Sequence, residues 1–297
     1  MTALKEDIGI LSVIHLLLTI GYLLLYQPDN QSFIIFFVLL VICTFVYLAM
    51  REETMTKTRR KNFGSALDVT IITAQHTALL SYLYITLTKP LESPLVLYFQ
   101  IAAIYHLLEF YFTLAYRPNQ LIRDAFLIYH SPYYQAAFWL SLCEYYITFK
   151  LFAIPKLKII DTLTALKVGI CLFGLLIRSA AFYYAGPSFH HLIQSEKQEQ
   201  HVLVTTGVYR WDRHPSYVGF YIYSVMLQLV IGNVVCFALF AVFLLYFFKR
   251  RIEIEEYYLY QFFKLDYLRY IRKTNSLFDV EIKGFPKSLK QKLVYRD

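Results

Sequence analysis

Two polar groups of residues towards the C-terminal end of this chain have types and spacings suited to holding anions. The first is Arg213-His214-Pro215-Ser216-Tyr217-Val218-Gly219 and the second is Arg251-Ile252-Glu253-Ile254-Glu255-Glu256. Pro215 fits the first turn of a helix, where its missing N–H costs nothing. The N–H groups that follow it can receive an anion. Arg251 and Glu255 stand four residues apart, which puts both on one helix face. A guanidinium there offers a two-pronged grip on a carboxylate and keeps its proton. A milder reading is open for each group. Arg213, His214 and Tyr217 are also good membrane-surface anchors, and Arg251 with Glu255 could be a surface ion pair worth roughly a few tenths of a kcal/mol.

Between an apolar run and the first group lies a third polar stretch, Gln194-Ser195-Glu196-Lys197 followed by His201-Val202-Leu203-Val204-Thr205-Thr206-Gly207-Val208-Tyr209. Its β-branched residues make poor linker material, so an ordered lid is expected rather than a slack loop. Beyond Arg251 the pairs Tyr258-Leu259 and Phe262-Phe263, then Tyr267 and Tyr270-Ile271, recur at helical spacing. They predict a helix over 249–274 whose apolar stripe packs back on the rest of the protein.

The elements that must position these groups are set by composition. The chain is 58% hydrophobic and 18% aromatic with a mean hydropathy of +0.45. Only 17% of it is charged, against about 25% in soluble domains. The 27 Tyr and 25 Phe suit interfacial belts and helix packing. The expected class is an all-α integral membrane protein. Eight apolar runs, 8–26, 33–50, 66–88, 94–116, 133–154, 162–185, 216–231 and 234–248, are long enough or nearly so for one crossing each. The last two are joined only by Gly232-Asn233, a turn signal that predicts a tight helical hairpin. Lys and Arg concentrate in the loops 51–64, 117–132 and 187–214 and in the tail after 249. That bias orients both termini to the cytosol and puts the polar groups on that face. Spans 1–90 are read as N-terminal helices and 91–297 as the catalytic core, including a cytosolic loop 186–214.

Several classes are excluded or disfavoured. Cys43, Cys143, Cys171 and Cys236 all fall inside apolar runs without a Cys-x-x-Cys pair and read as packing residues. No Gly-rich phosphate loop or His-Glu-x-x-His motif occurs, so no metal is expected. The basic excess follows from topology, so nucleic acid is not an expected partner; the bilayer is, with anionic lipid near the basic tail. Ionisable residues within or near the runs, Asp68, His76, His106, Glu109, Glu144, Lys167 and Arg178, are expensive there and should pair with one another or face a cavity. Arg178 is singled out, because it lies a turn or two inside the cytosolic end of its run.

Taken in order, these residues resemble the isoprenylcysteine carboxyl methyltransferase family. The likeness rests on Gln194 to Lys197, His201 to Tyr209, Arg213 to Gly219 and Arg251 to Glu256, with Arg178-Ser179-Ala180-Ala181, Ala185-Gly186 and His106-Leu107-Leu108-Glu109 upstream. It covers about the C-terminal two-thirds of the chain. Two places depart from the pattern: Asn233-Val234 where the family often has Asn-Pro, and Phe262-Phe263-Lys264 where it often has Phe-Phe-Gly.

The resemblance implies an endoplasmic-reticulum enzyme that methylates the C-terminal carboxylate of prenylated, farnesyl or geranylgeranyl, CaaX proteins such as small GTPases. The donor would be S-adenosylmethionine. By matched position, Gln194, His201, Val202, Leu203, Val204, Tyr209, His214, Pro215, Ser216, Tyr217 and Glu255 would hold the cofactor. Arg251 would bind the substrate carboxylate, with Arg178 assisting. A carboxylate, with a pKa of about 3.5, is already ionised at neutral pH and needs no general base. The task is to strip its water and aim it at the methyl group. Two other enzyme readings stand beside this one. A sterol or isoprenoid reductase using NADPH should need a larger polar lobe, and a phospholipid N-methyltransferase would want acidic or aromatic groups where Arg251 sits. A channel would spread its polar residues along several spans rather than gather them at one face.

Overall fold

The computed structural model describes residues 66–87, 93–117, 123–128, 131–151, 162–197 and 201–278. The predicted spans 8–26 and 33–50 lie outside these residues, so the count of eight is not addressed by them. Among the described residues the chain is helical and has no strand. Its helices are α1 (Ala66–Leu87), α2 (Pro94–Tyr116), α3 (Pro132–Leu151), α4 (Thr162–Ala185), α5 (Pro215–Val230) and α6 (Val234–Lys273). Short 3-10 turns occupy Arg123–Phe126, Gly186–Ser188 and Gly207–Arg210. Two of the helical segments, Pro94–Tyr116 and Thr162–Ser188, are long and apolar enough to cross a bilayer. The chain divides into two compact units, Met1–Gln135 and Ala136–Asp297.

In the first unit, α2 opens where Ser93 accepts the Val96 N–H (3.4 Å) and Pro94 takes the first helical position, the arrangement that satisfies an orphan donor and loses none. Ile72, Ala103, Leu107, Phe110 and Phe126 make its core, and the rings of Phe110 and Phe126 stack at 4.4 Å. The ionisable residues here are used in packing, as the cost of leaving them unpaired requires. His106 Nδ1 donates to the Phe126 carbonyl (2.6 Å), which ties the 3-10 turn to α2, and His76 Nε2 meets the Tyr111 hydroxyl at 2.7 Å.

In the second unit, α4 and α5 cross at glycine. A Cβ on Gly219 would lie 2.6 Å from both the Arg178 amide nitrogen and the Gly174 carbonyl, and one on Gly174 would lie 2.7 Å from the Gly219 carbonyl. Only hydrogen fits at either position. Gly219→Ala should therefore force the helices apart, costing about 1–3 kcal/mol, and lower the thermal unfolding temperature. An unchanged unfolding temperature would mean that the crossing is slack.

The hairpin expected at Gly232-Asn233 is present, with Gly232 at φ +81°. Two side chains hold it. Asn233 Nδ2 donates to the Ser141 carbonyl (2.8 Å), and the Glu144 carboxylate accepts the N–H groups of Val235 (2.8 Å) and Cys236 (2.6 Å). Glu144 is thus a cap for the positive end of α6. Because it serves the second and third amides, the first position tolerates Val234 as readily as proline, which accounts for one of the two departures from the family pattern.

Helix α6 then runs for 40 residues, interrupted at Lys264, where φ is 46° and ψ is −114°. That backbone region is unfavourable for any residue with a Cβ, and it falls where the family often has glycine. Lys264→Gly should remove strain of about 1–3 kcal/mol and return part of it as chain entropy. The expected outcome is a small rise in unfolding temperature. A fall would show that the Lys264 side chain, whose Nζ lies 5.5 Å from the Tyr260 ring centroid, contributes more than the backbone costs.

The outward faces of the apolar helices are bare. Leu176 on α4 is 67% exposed and Val242 on α6 is 71% exposed, among many others. Apolar faces of this extent are what a lipid solvent covers.

Candidate active site

The two polar groups meet at the first turn of α5. That helix begins at Pro215, one residue ahead of the predicted run. Asp212 shapes the entering chain by accepting the His214 N–H at 2.6 Å. Two arginines from different helices then converge on successive residues of the turn. Arg178, buried on α4, donates from Nη1 to Ser216 Oγ (3.0 Å), its guanidinium 5.6 Å from the Phe182 ring and 5.2 Å from Phe220. Arg251 on α6 donates from Nε to the Tyr217 hydroxyl (2.8 Å) and from Nη2 to the His191 carbonyl. The same Tyr217 hydroxyl donates to Glu255 Oε2 at 2.5 Å. Arg251 and Glu255 are therefore joined through a phenol. The Tyr217 ring is held between His214 (5.7 Å) and Phe248 (5.0 Å), both nearly parallel to it.

One helical position further on, Glu256 makes a different connection. It is fully buried, and its Oε1 accepts from Arg213 Nε and lies against His214 Nε2, each at 2.8 Å. Arg213 Nη1 also donates to the Thr274 carbonyl at 2.7 Å. Burial works against ionising Glu256, but the hydrogen bonds and charges of His214 and Arg213 outweigh it and hold the carboxyl below its usual range. Burial likewise works against charging His214, and the bond and charge of Glu256 lift its pKa above the ordinary histidine value. This buried trio fixes α6 to the start of α5 and so sets where Glu255 and Arg251 point.

Glu255 opens onto a cleft of about 350 Å³. Ser188, His190, Leu192, Ile193, Gln194 and His201 line one side of it, and Glu255, Tyr258, Leu259 and Phe262 of α6 the other. Of the candidate cofactor residues, Gln194, His201 and Glu255 thus share one cleft, with Tyr217 one hydrogen bond away. The segment 201–205 is without regular structure, and its placement is fixed by side chains. The Val202 N–H donates to Ser188 Oγ (3.1 Å), and the His201 ring packs 5.6 Å from Phe262. Gly207, at φ +60°, faces the Tyr184 ring so closely that a Cβ would fall 2.4 Å from it. Val202 itself is 65% exposed, and Leu203 and Val204 are half-buried. The Tyr209 hydroxyl donates to the Ala181 carbonyl (3.4 Å), and the Tyr209 backbone carbonyl accepts from the Tyr270 hydroxyl (2.6 Å). His214, Pro215 and Ser216 are buried and engaged with protein partners rather than lining the cleft.

The sequence did not single out His190, Ser188 or the role of Glu256. Tyr258, Leu259 and Phe262 belonged to a stripe expected to pack. Tyr267 and Tyr270 of that stripe do so and are buried, while these three line the cleft.

Comparison with known proteins points to one family. The sequence model of the "Isoprenylcysteine carboxyl methyltransferase (ICMT) family" matches residues 166–261. That stretch holds every candidate residue named above, from Arg178 to Glu255. The protein-S-isoprenylcysteine O-methyltransferase of Saccharomyces cerevisiae is 37% identical over 177 residues, 58% of this chain and 73% of that protein. This chain belongs to the isoprenylcysteine carboxyl methyltransferase family. The enzyme of the same name from Tribolium castaneum is 39% identical over 179 residues, which cover 60% of this chain and 63% of that protein, so the match spans a little under two thirds of its length. A solved structure of the eukaryotic intramembrane Ras methyltransferase of this family superposes with a TM-score of 0.71 at 26% identity, over 94% of this chain and 98% of that one. The all-helical architecture of the described residues is thus that of a solved member of the family. The family match ends just short of Lys264, the second departure noted from sequence.

Proposed function

We propose that this chain transfers the methyl group of S-adenosylmethionine to the C-terminal α-carboxylate of a prenylated cysteine, giving a methyl ester. The observation that carries the reading is the alignment Arg251–Tyr217–Glu255 at the edge of the cleft, on helices within the family match. The cleft suits the cofactor. Glu255 gives one carboxylate for an ammonium group, Gln194 and His201 give polar contacts, and Tyr258, Leu259 and Phe262 give the apolar wall a purine needs. When bound, the cofactor supplies an electrophilic methyl group.

The chain's own residues do the rest. Arg251 grips the acceptor carboxylate and replaces part of its hydration. Tyr217 keeps Arg251 and Glu255 from neutralising each other directly. Arg178 adds positive potential at the α5 first turn from a buried position. With the cofactor bound, the transfer would join the carboxylate oxygen to the methyl carbon and release the sulfur as a thioether, so no proton would move and none of these residues would need to act as a general base. Farnesyl or geranylgeranyl chains on CaaX proteins, small GTPases among them, fit an enzyme whose helices present apolar faces to lipid. The site would face the cytosol from the endoplasmic-reticulum membrane, with both termini on that side. A reductase or a phospholipid N-methyltransferase is not favoured: the relatives are carboxyl methyltransferases, and a cation, Arg251, stands at the acceptor position.

The test is methyl transfer by purified protein in detergent, with labelled S-adenosylmethionine and farnesylated N-acetylcysteine beside the unprenylated amino acid. A base-labile methyl ester formed only on the prenylated acceptor supports the reading. Cofactor binding without transfer to it, or binding of NADPH instead, would sink it.

A further inference from the structure

After α6 ends, the chain does not leave the protein. Residues Thr274 to Phe278 run back beside the start of α5: the Arg213 N–H donates to the Asn275 carbonyl (3.2 Å), and the Leu277 N–H donates to Asp212 Oδ2 (2.5 Å). Phe278 is buried, with its ring 5.9 Å from Tyr221 and 5.5 Å from Phe248. It shares a core with Val218 and Ile252. Tyr221 lies about 9 Å along the α5 axis from Pro215, so this strap returns to the level of the second turn of α5. Its neighbour Leu277 is nevertheless 70% exposed, and Trp211, next to the Asp212 that fastens the strap, is 85% exposed. Water is a poor solvent for both side chains; the headgroup boundary is the favoured place for an indole.

The exposed charge around them is mainly basic. Arg210, Arg272 and Lys273 are exposed, whereas Asp212 is half-buried and bound to the His214 and Leu277 amides, and Asp266 is paired with Arg269 at 3.0 Å. A cationic rim around exposed Trp and Leu matches an anionic leaflet. We propose that Trp211, Leu277, Arg210, Arg272 and Lys273 form an interfacial anchor that seats the C-terminal end of α6 on an anionic phospholipid surface. The proposal rests on the reading that α5 and the first part of α6 lie in the bilayer. The anchor holds the outer wall of the cleft against the leaflet that carries a lipidated substrate.

The chain has two tryptophans, Trp139 and Trp211, so each can be made the sole probe in the full-length protein. In vesicles of phosphatidylglycerol and phosphatidylcholine, the Trp139→Phe protein should show blue-shifted Trp211 emission. Lipids brominated near the carbonyls should remove most of that emission, and acrylamide little of it. The companion Trp211→Phe protein reports Trp139, a residue of α3 that is 60% exposed, and should be quenched by lipids brominated deeper in the chain. If Trp139 is not quenched by any lipid, the membrane reading itself fails. If Trp139 is quenched while Trp211 emits as in water and yields to acrylamide, only the anchor fails. Quenching of Trp211 should be greater with phosphatidylglycerol than with phosphatidylcholine alone. That difference should vanish when Arg210, Arg272 and Lys273 are all changed to Gln, and equal quenching in both lipids at the outset would overturn the anionic preference.

Discussion

Replacing Glu256 by leucine destabilises the protein by about 3–5 kcal/mol, the usual cost of stranding the partners of a buried charge. Leucine fills the space but leaves Arg213 and His214 buried without the oxygen that each contacts at 2.8 Å. Thermal unfolding of the purified protein in detergent measures the loss. Glu256→Gln, which keeps an acceptor and removes the charge, should lie between the two. The same trio gives stability a pH profile. Glu256 has a lowered pKa, so its contribution is complete above the ordinary carboxyl value of 4.5 and fades as pH falls through the lowered one. His214 has a raised pKa, so its contribution is complete below the ordinary value of 6.5 and fades as pH rises through the raised one. Stability should therefore be greatest between those ordinary values and decline on both sides, and the Glu256→Leu protein should have a flatter profile. A wild-type profile that stays level on both sides of that window as well as within it would show that the trio is not charged in the folded protein.

Arg251→Ala should lower kcat/KM for the prenylated acceptor by about 10²–10³, equivalent to removing a charged transition-state donor worth about 3–4 kcal/mol. The cofactor dissociation constant should change far less, because Glu255, Gln194 and His201 remain in the cleft. Arg251→Lys should recover only part of the loss, since an ammonium restores the charge but not the two-pronged geometry. Isothermal titration with the cofactor beside steady-state kinetics with the acceptor separates the two effects. Equal losses in both would mean that Arg251 acts mainly by holding Tyr217 and Glu255 in place, through the 2.8 Å bond to the hydroxyl they share.

Hydropathy located the helices well where punctuation is strong. The run 94–116 is bounded as α2 is, with Ser93-Pro94 to start it, and 162–185 matches α4, which ends at Gly186-Pro187. The last helix was harder. The run 234–248 and the helix expected over 249–274 are one element with a break at Lys264, and nothing about lysine announces a positive φ. The site was legible as an ordered series of motifs and less so as a set of contacts. Glu255 and Glu256 look alike in sequence, yet the helical turn of about 100° per residue sends one to the cleft and the other into the core. His190 carries no motif and Phe262 read as part of a packing stripe; they line the cleft because Ser188 to Gln194 and His201 fold against α6.

The unbroken run of α6 from Val234 to Arg251 makes the helix a ruler. Glu144 clamps its first turn, and the guanidinium follows about 26 Å further along the axis, close to the thickness of a hydrocarbon core of about 30 Å. A carboxylate tethered to a chain dissolved in the leaflet would be met at one fixed height, set by the length of a rod rather than by the reach of a flexible arm. Under the proposed function, bilayer thickness becomes a parameter of catalysis, since whatever mismatch is not absorbed by helix tilt and bilayer deformation displaces the grip from the acceptor.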